Sequence, residues 1–307
     1  MPGRCHQCRV NNRSKRLIWE CRTARWRAAS FLLDIMTYRY LFGPVPSRRF
    51  GRSLGVDLAG GRRCSFDCVF CEVGKTDCLT RQRQEYVPTS AVIGELRAWL
   101  AEDGVADVIT LAGSGEPTLH TGFGEIIDAV HASCKIPVAL LTNSSLLTEP
   151  GVRSAAARAD IVKVSLGAWD EASFEALNHP VPGLTFAGVM QGLRLFRAQY
   201  QGRLWVEVML VCGVNDVPWQ VERIAALVAD LQPATVQLNT VVRPPAFADA
   251  EPLADESLER LAALFTPKAE VIVQHRGPEG RRRHDEHVEH LAGLSVRSAT
   301  SLRIPGC

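Results

Sequence analysis

No run of about eighteen consecutive apolar residues occurs in this 307-residue chain, which argues against a membrane-spanning helix. Lysine is scarce, five residues against thirty arginines, so a lysine in an apolar stretch stands out. Net charge is only +2, which excludes a chain that is polycationic throughout, as many nucleic-acid binders are. That small value hides an asymmetry. Residues 1–52 carry twelve Lys and Arg against two Asp and Glu, and the remainder carries 23 against 31. A dense disulfide framework is also missing. Ten cysteines in a chain this long do not make a small secreted scaffold, and most are scattered, so a reducing, cytoplasmic setting is expected. The hydrophobic share of 46% supports a large core, and the length suits an α/β barrel folded as one domain.

Three of the cysteines are not scattered. Cys64-Ser65-Phe66-Asp67-Cys68-Val69-Phe70-Cys71 sets thiols at C-x3-C-x2-C spacing, with an aromatic residue before the last. Soft thiolates suit an iron–sulfur cluster or zinc; incidental buried thiols are the bland alternative. A closed structural site needs a fourth ligand, and the next cysteine, Cys78, lies seven residues further on. Three ligands in one tight loop would leave one iron of a cubane open.

The flanks narrow the choice. Tyr40–Arg49 (YLFGPVPSRR) and Gly51–Asp57 (GRSLGVD) precede the loop. Ala112–His120 (AGSGEPTLH) and Val236–Pro245 (VQLNTVVRPP) follow it. With the cysteine triplet, these stretches resemble the radical S-adenosylmethionine (radical SAM) superfamily, in the branch related to wybutosine synthesis, over about Tyr38 to Val273. The resemblance implies a partial (β/α)6 TIM-like barrel. It also implies a [4Fe–4S] cluster on Cys64, Cys68 and Cys71, whose open iron chelates the amine and carboxylate of SAM. Reductive cleavage of SAM would give a 5′-deoxyadenosyl radical. The implied partners are a reducing electron donor such as flavodoxin or ferredoxin and a substrate, in the first place a nucleoside in tRNA, with a small molecule or peptide as the alternative. A non-catalytic iron–sulfur or zinc protein is the alternative from another class.

Periodicity agrees with an α/β chain. Strands are expected at 54–58, 107–112, 137–142, 161–166, 204–210, 235–238 and 270–273. Helices are expected at 91–102 (N-capped by Thr89-Ser90), 122–133, 149–157, 171–177, 185–200, 218–231 and 255–265. Such alternation implies parallel pairing, with ligands at the C-terminal strand ends.

Candidate site residues fall at those ends. Phe70 is expected to cover the cluster or the adenine. Gly113, Gly115 and Glu116 match the stretch that binds the methionine amino group in the superfamily. Asn143 and Ser165 are expected to contact SAM; Asn143 could equally form an Asx turn. Relatives often carry Leu-Asp-Ala after the position of Ser165, where this chain has Leu166-Gly167-Ala168. Lys163 lies two residues before Ser165, hence on the same strand face. It would pair with an acid of SAM or substrate, form a Schiff base, or serve structurally. Arg243, stiffened by Pro244-Pro245, would grip a phosphate or carboxylate, or form a salt bridge. Cys78, Cys134 and Cys212 are taken as packing thiols.

The expected organisation is a basic extension at 1–35, disordered or preceding a true start at Met36, then a barrel domain at 36–275 and a polar tail at 276–307. Cys5, Cys8 and Cys21 form a minor metal-site candidate in the extension. Arg281–Arg283 and the histidines at 284, 287 and 290 are taken as solvated.

Overall fold

The computed structural model describes residues 38–272. All of them belong to the compact unit that begins at Tyr38. The expectations for residues 1–35 and for the tail at 276–307 lie outside the described residues.

The chain opens with a hairpin, β1 (Leu41–Ser47) and β2 (Gly51–Val56). A small ribbon, β3 (Arg63–Cys64) and β4 (Cys78–Leu79), frames the cysteine loop. Helices and strands then alternate: α1 (Thr89–Ala101), β5 (Val108–Leu111), α2 (Phe123–Ser133), β6 (Val138–Thr142), α3 (Pro150–Ala156), β7 (Ile161–Ser165), α4 (Glu171–Asn178) and α5 (Phe186–Gln199). The series ends with β8 (Arg203–Leu210), α6 (Pro218–Asp230), β9 (Thr235–Thr240), α7 (Asp255–Ala262) and β10 (Glu270–Val271). The main sheet runs β1-β2-β5-β6-β7-β8-β9-β10. Every pair from β2 to β10 is parallel, and only β1 with β2 is antiparallel. This is a partial TIM-like barrel with helices outside. Among the described residues no helix is long and apolar enough to cross a membrane.

Two local expectations are corrected. Gly43, Pro44 and Pro46 lie within a strand, β1, where no strand was expected; proline is tolerated there because β1 is an edge. Thr89 is the first residue inside α1 rather than its cap. The capping position is Pro88, and Glu85 Oε1 accepts from the Thr89 amide at 2.7 Å.

Strand alternation sorts the core into two faces. Val138, Leu140, Val162, Val164, Val206 and Val208 point to the helices and pack with residues such as Phe196, Ile126 and Ile127, all buried. Truncating Phe196 to alanine would cost about 3–5 kcal/mol. The opposite face lines the barrel. At its N-terminal end Val108, Ala139 and Ile161 form an apolar plug with Phe50, Leu141 and Trp205, and the Phe50 and Trp205 rings stack at 5.0 Å. Above the plug the same face turns polar, with Lys163 and Ser165 on β7, Glu207 on β8, and Gln237 and Asn239 on β9.

Candidate active site

The three clustered cysteines are free thiols, each partly buried. Their loop is held from both sides. The Cys71 amide donates to Cys68 O at 3.1 Å, closing a turn, and the Asp67 and Val69 amides donate to Asn178 O (3.0 Å) and Leu177 O (3.0 Å) at the end of α4. Asn178 Nδ2 lies 3.2 Å from Cys68 Sγ, and Asn143 Nδ2 lies 3.4 Å from Cys64 Sγ. Burial pushes all three thiols up, Cys64 to about 12 with the Glu116 carboxylate adding to the effect.

The donor set fits a cluster better than one ion. Among the described residues no three Cys, His, Asp or Glu side chains stand close enough to hold a single metal ion. Zinc would need thiolates about 3.8 Å apart, given bonds of about 2.3 Å at tetrahedral angles. A cubane binds each thiolate through a different iron and spaces the sulfurs more widely. Cys78 is buried and disulfide-bonded, which corrects its expected role as a lone packing thiol. Cys134 is partly buried and Cys212 is exposed, so Cys212 is not a packing thiol either.

Gly113 and Gly115 follow β5 and make room for the loop. A Cβ on Gly115 would lie 1.9 Å from Arg63 O, the carbonyl just before Cys64; one on Gly113 would lie 2.5 Å from Asp57 Cγ. The Glu116 amide donates to that same Arg63 carbonyl at 3.0 Å. Glu116 is 3% exposed, and its carboxylate joins two segments, its own turn and the end of β6. Oε1 accepts from Thr118 N (3.0 Å), Thr118 Oγ1 (2.6 Å) and Thr142 Oγ1 (2.7 Å), and Oε2 accepts from Asn143 N (2.7 Å). Burial raises its pKa despite these donors. Asn143 also donates to Ser65 Oγ at 2.9 Å and accepts from Ser145 N at 3.0 Å, an Asx-type bond. It thus turns the chain and reaches the cysteine loop at once.

Phe70, Asn143, Ser165, Gly167, Glu207 and Met209 line one cavity at the C-terminal strand ends. Lys163 lies beneath it. Its Nζ donates to Glu207 Oε2 at 2.6 Å, and Glu207 also pairs with Arg49 from the β1–β2 turn. Burial lowers the Lys163 pKa to about 8. Burial works to raise Glu207 as well, but the Lys163 and Arg49 charges prevail and hold it at about 2. Arg243 does not stand in the cavity wall. It pairs with Glu72 Oε2 at 2.9 Å, tying the loop after β9 to the residue after Cys71.

Sequence reasoning missed Asn178 and Glu207. Asn215 is 1% exposed; it donates to Gly167 O (2.8 Å) and Met209 O (2.9 Å) and accepts from Val211 N (2.7 Å), stapling two cavity loops. Glu207 was within reach of sequence reasoning, because alternation along β8 sets it on one face with Trp205 and Met209. For Asn178 only the Asn-His-Pro break after α4 gave a signal.

Residues 59–228 match the model of the family described as the Radical SAM superfamily. A protein of Helicobacter pylori named UPF0026 protein is 36% identical over 228 residues, 73% of this chain and 73% of that one. A Brachyspira hyodysenteriae protein named GTPase Obg is 33% identical over 233 residues, 76% of this chain, and the match spans only 34% of that longer protein. Among solved structures, one described as TYW1 with a lysine-pyruvate adduct bound has a TM-score of 0.55 at 15% identity, over 71% of this chain and 74% of that one, which is a likeness of fold.

Proposed function

This chain belongs to the radical SAM superfamily, whose enzymes use a [4Fe–4S] cluster and S-adenosylmethionine, and from that premise we propose that Cys64, Cys68 and Cys71 hold the cluster and that the enzyme acts on a small polar molecule inside its barrel. When bound, cluster and SAM supply one electron and a carbon radical that removes hydrogen from the substrate. The protein's own residues bind, orient and exclude water. Gly113 and Gly115 let backbone approach the ligand without Cβ interference. Glu116 Oε2 accepts a single hydrogen bond within the protein and retains acceptor capacity for the ammonium of SAM. Asn143 and Ser165 stand on the cavity wall, where they would meet the ribose. Phe66, Phe70, Phe174 and Phe186 close the apolar side of the cavity and keep water from the reacting atoms. Electrons would come from a carrier such as flavodoxin or ferredoxin.

The observation that carries the substrate reading is the charged group of Lys163, Glu207 and Arg49 inside the barrel, of which Glu207 lines the cavity. Modification of a tRNA nucleoside is the second reading. It is favoured by the motifs shared with the wybutosine-related branch and opposed by the acidic balance of residues 53–307, 23 basic against 31 acidic.

The test is anaerobic reconstitution of the full chain, then assay for 5′-deoxyadenosine with dithionite and SAM beside a Cys68→Ala variant. Production that disappears in the variant is expected. A full complement of iron and sulfide with no cleavage, and no change of the cluster spectrum on adding SAM, would overturn the enzyme reading. Salt-sensitive binding of tRNA to the reconstituted protein would favour the second reading over the first.

A further inference from the structure

The charges around the cavity floor do not balance. Four cations gather near it from three separate segments: Arg48 and Arg49 from the β1–β2 turn, Lys163 from β7 and, outside the cavity wall, Arg243 from the loop after β9. Among the described residues two carboxylates face them, Glu207 on β8 and Glu72 beside Cys71. Glu207 pairs with both Lys163 and Arg49, and Glu72 with Arg243. Burial and the charges of Arg49 and Arg243 lower the Arg48 pKa, against Glu72 and Glu207.

Polar atoms are left over in the same place. Arg49 Nε is buried with no acceptor, and Gln237 Oε1 is buried with no donor. Gln237 is 2% exposed and is the direct register partner of Glu207, so both orphan atoms belong to residues bordering one carboxylate. A buried donor without a partner is costly and seldom tolerated. A ligand that brings an acceptor to Arg49 and a donor to Gln237 would satisfy both. With the Arg243–Glu72 pair set aside, Arg48, Arg49 and Lys163 stand against Glu207 alone among the described residues, an excess that favours an anion in a site of low dielectric.

We propose that the floor of this cavity seats an anionic group of a small hydrogen-donating substrate, a carboxylate or a phosphate, gripped by Arg49 with Arg48 and beside Gln237. The proposal rests on the small-molecule reading above, and it concerns binding alone. Glu207 serves as the placeholder that keeps Arg49 oriented: its carboxylate fixes one nitrogen of the guanidinium and leaves Nε to the ligand. Planar, bidentate recognition of this kind favours arginine over lysine, in keeping with a chain that uses arginine six times as often.

Isothermal titration of the cluster-loaded protein with SAM present and no reductant tests this directly. The probes are succinate, its neutral counterpart succinamide, and inorganic phosphate. Succinate or phosphate is expected to bind at least tenfold more tightly than succinamide. Preference for succinate assigns a carboxylate, and preference for phosphate assigns a phosphate ester. Arg49→Gln is expected to weaken the preferred anion about tenfold. Arg48→Gln, at an exposed turn position that tolerates change, is expected to do the same to a lesser degree and guards against misfolding of the first variant. Equal binding of succinate, phosphate and succinamide overturns the proposal, as does anion binding that neither variant weakens. SAM cleavage is not read in this experiment, so failure of the enzyme reading would show in the 5′-deoxyadenosine assay and leave this result standing.

Discussion

Asn178 Nδ2 lies 3.2 Å from Cys68 Sγ, although 110 residues separate the two in sequence. An N–H that points at a ligating sulfur stabilises the more negative, reduced state of a cluster and so raises its potential. Replacing Asn178 with valine removes the donor from a buried site while keeping a compact side chain. An N–H···S bond worth about 1 kcal/mol more in the reduced state corresponds to roughly 40 mV for one electron. Asn178→Val is therefore expected to lower the midpoint potential by tens of millivolts, read by redox titration with electron paramagnetic resonance. An unchanged potential would mean that the amide only positions the loop.

Gly115 and Gly94 should answer oppositely to the same substitution. A Cβ on Gly115 would overlap Arg63 O at 1.9 Å, and that carbonyl is backbone at the root of the cysteine loop, unable to swing aside. Gly115→Ala is expected to displace Cys64 and reduce iron incorporation severalfold. Gly94 is exposed within α1, and a Cβ there meets nothing within 4 Å. Gly94→Ala is expected to stabilise the protein by about 0.5–1 kcal/mol by stiffening the unfolded chain. Iron content per chain and urea denaturation check the two. Full iron loading in Gly115→Ala would remove the close-approach account of that glycine.

The Arg243–Glu72 pair is about a quarter exposed on both sides. Such pairs contribute about 0–1 kcal/mol. Arg243→Gln is thus expected to leave stability within about 1 kcal/mol of the parent in urea denaturation. A loss several times larger would mark Arg243 as part of the scaffold and weaken its candidacy for meeting substrate.

Local pattern carried the sequence reading furthest where it had a period. The apolar spacing of Ile126, Ile127 and Val130 marked α2, and alternation placed Lys163 and Ser165 on one face of β7. The cysteine triplet was legible because all its members sit within eight residues. What sequence could not carry was pairing across distance. Glu207 stands 44 residues from Lys163, and which acid would meet that lysine follows only from the order of strands in the sheet. The strand β1 was hidden for a different reason: its glycine and prolines are turn formers in isolation, and only its edge position makes them acceptable. Glu116 was recognised by motif, yet its bonds to Thr142 and Asn143 exist only after two loops converge.

The buried Lys163–Glu207–Arg49 group makes a signed statement about pH. Glu207 is held at about 2, against an ordinary value of 4.5, by Lys163 and Arg49 acting against the opposing effect of burial. A carboxylate whose folded pKa is depressed contributes stability above its unfolded pKa and loses it as pH falls through the folded value. The stabilisation from Glu207 is therefore present at neutral pH and disappears between about pH 4.5 and about pH 2. Glu207→Gln leaves Lys163 and Arg49 buried without their counter-ion, a change expected to cost about 3–5 kcal/mol near neutral pH. At low pH the parent's own Glu207 becomes protonated and resembles glutamine, so the two proteins should converge. Urea denaturation of the cluster-free parent and variant, run from pH 7 down to pH 2.5, reads the difference. Lys163 moves the other way: its pKa is lowered to about 8 by burial, so its charge opposes folding until pH rises past that value. A gap that stays constant with falling pH would show that glutamine disrupts packing rather than charge, and would remove the electrostatic account of the barrel floor.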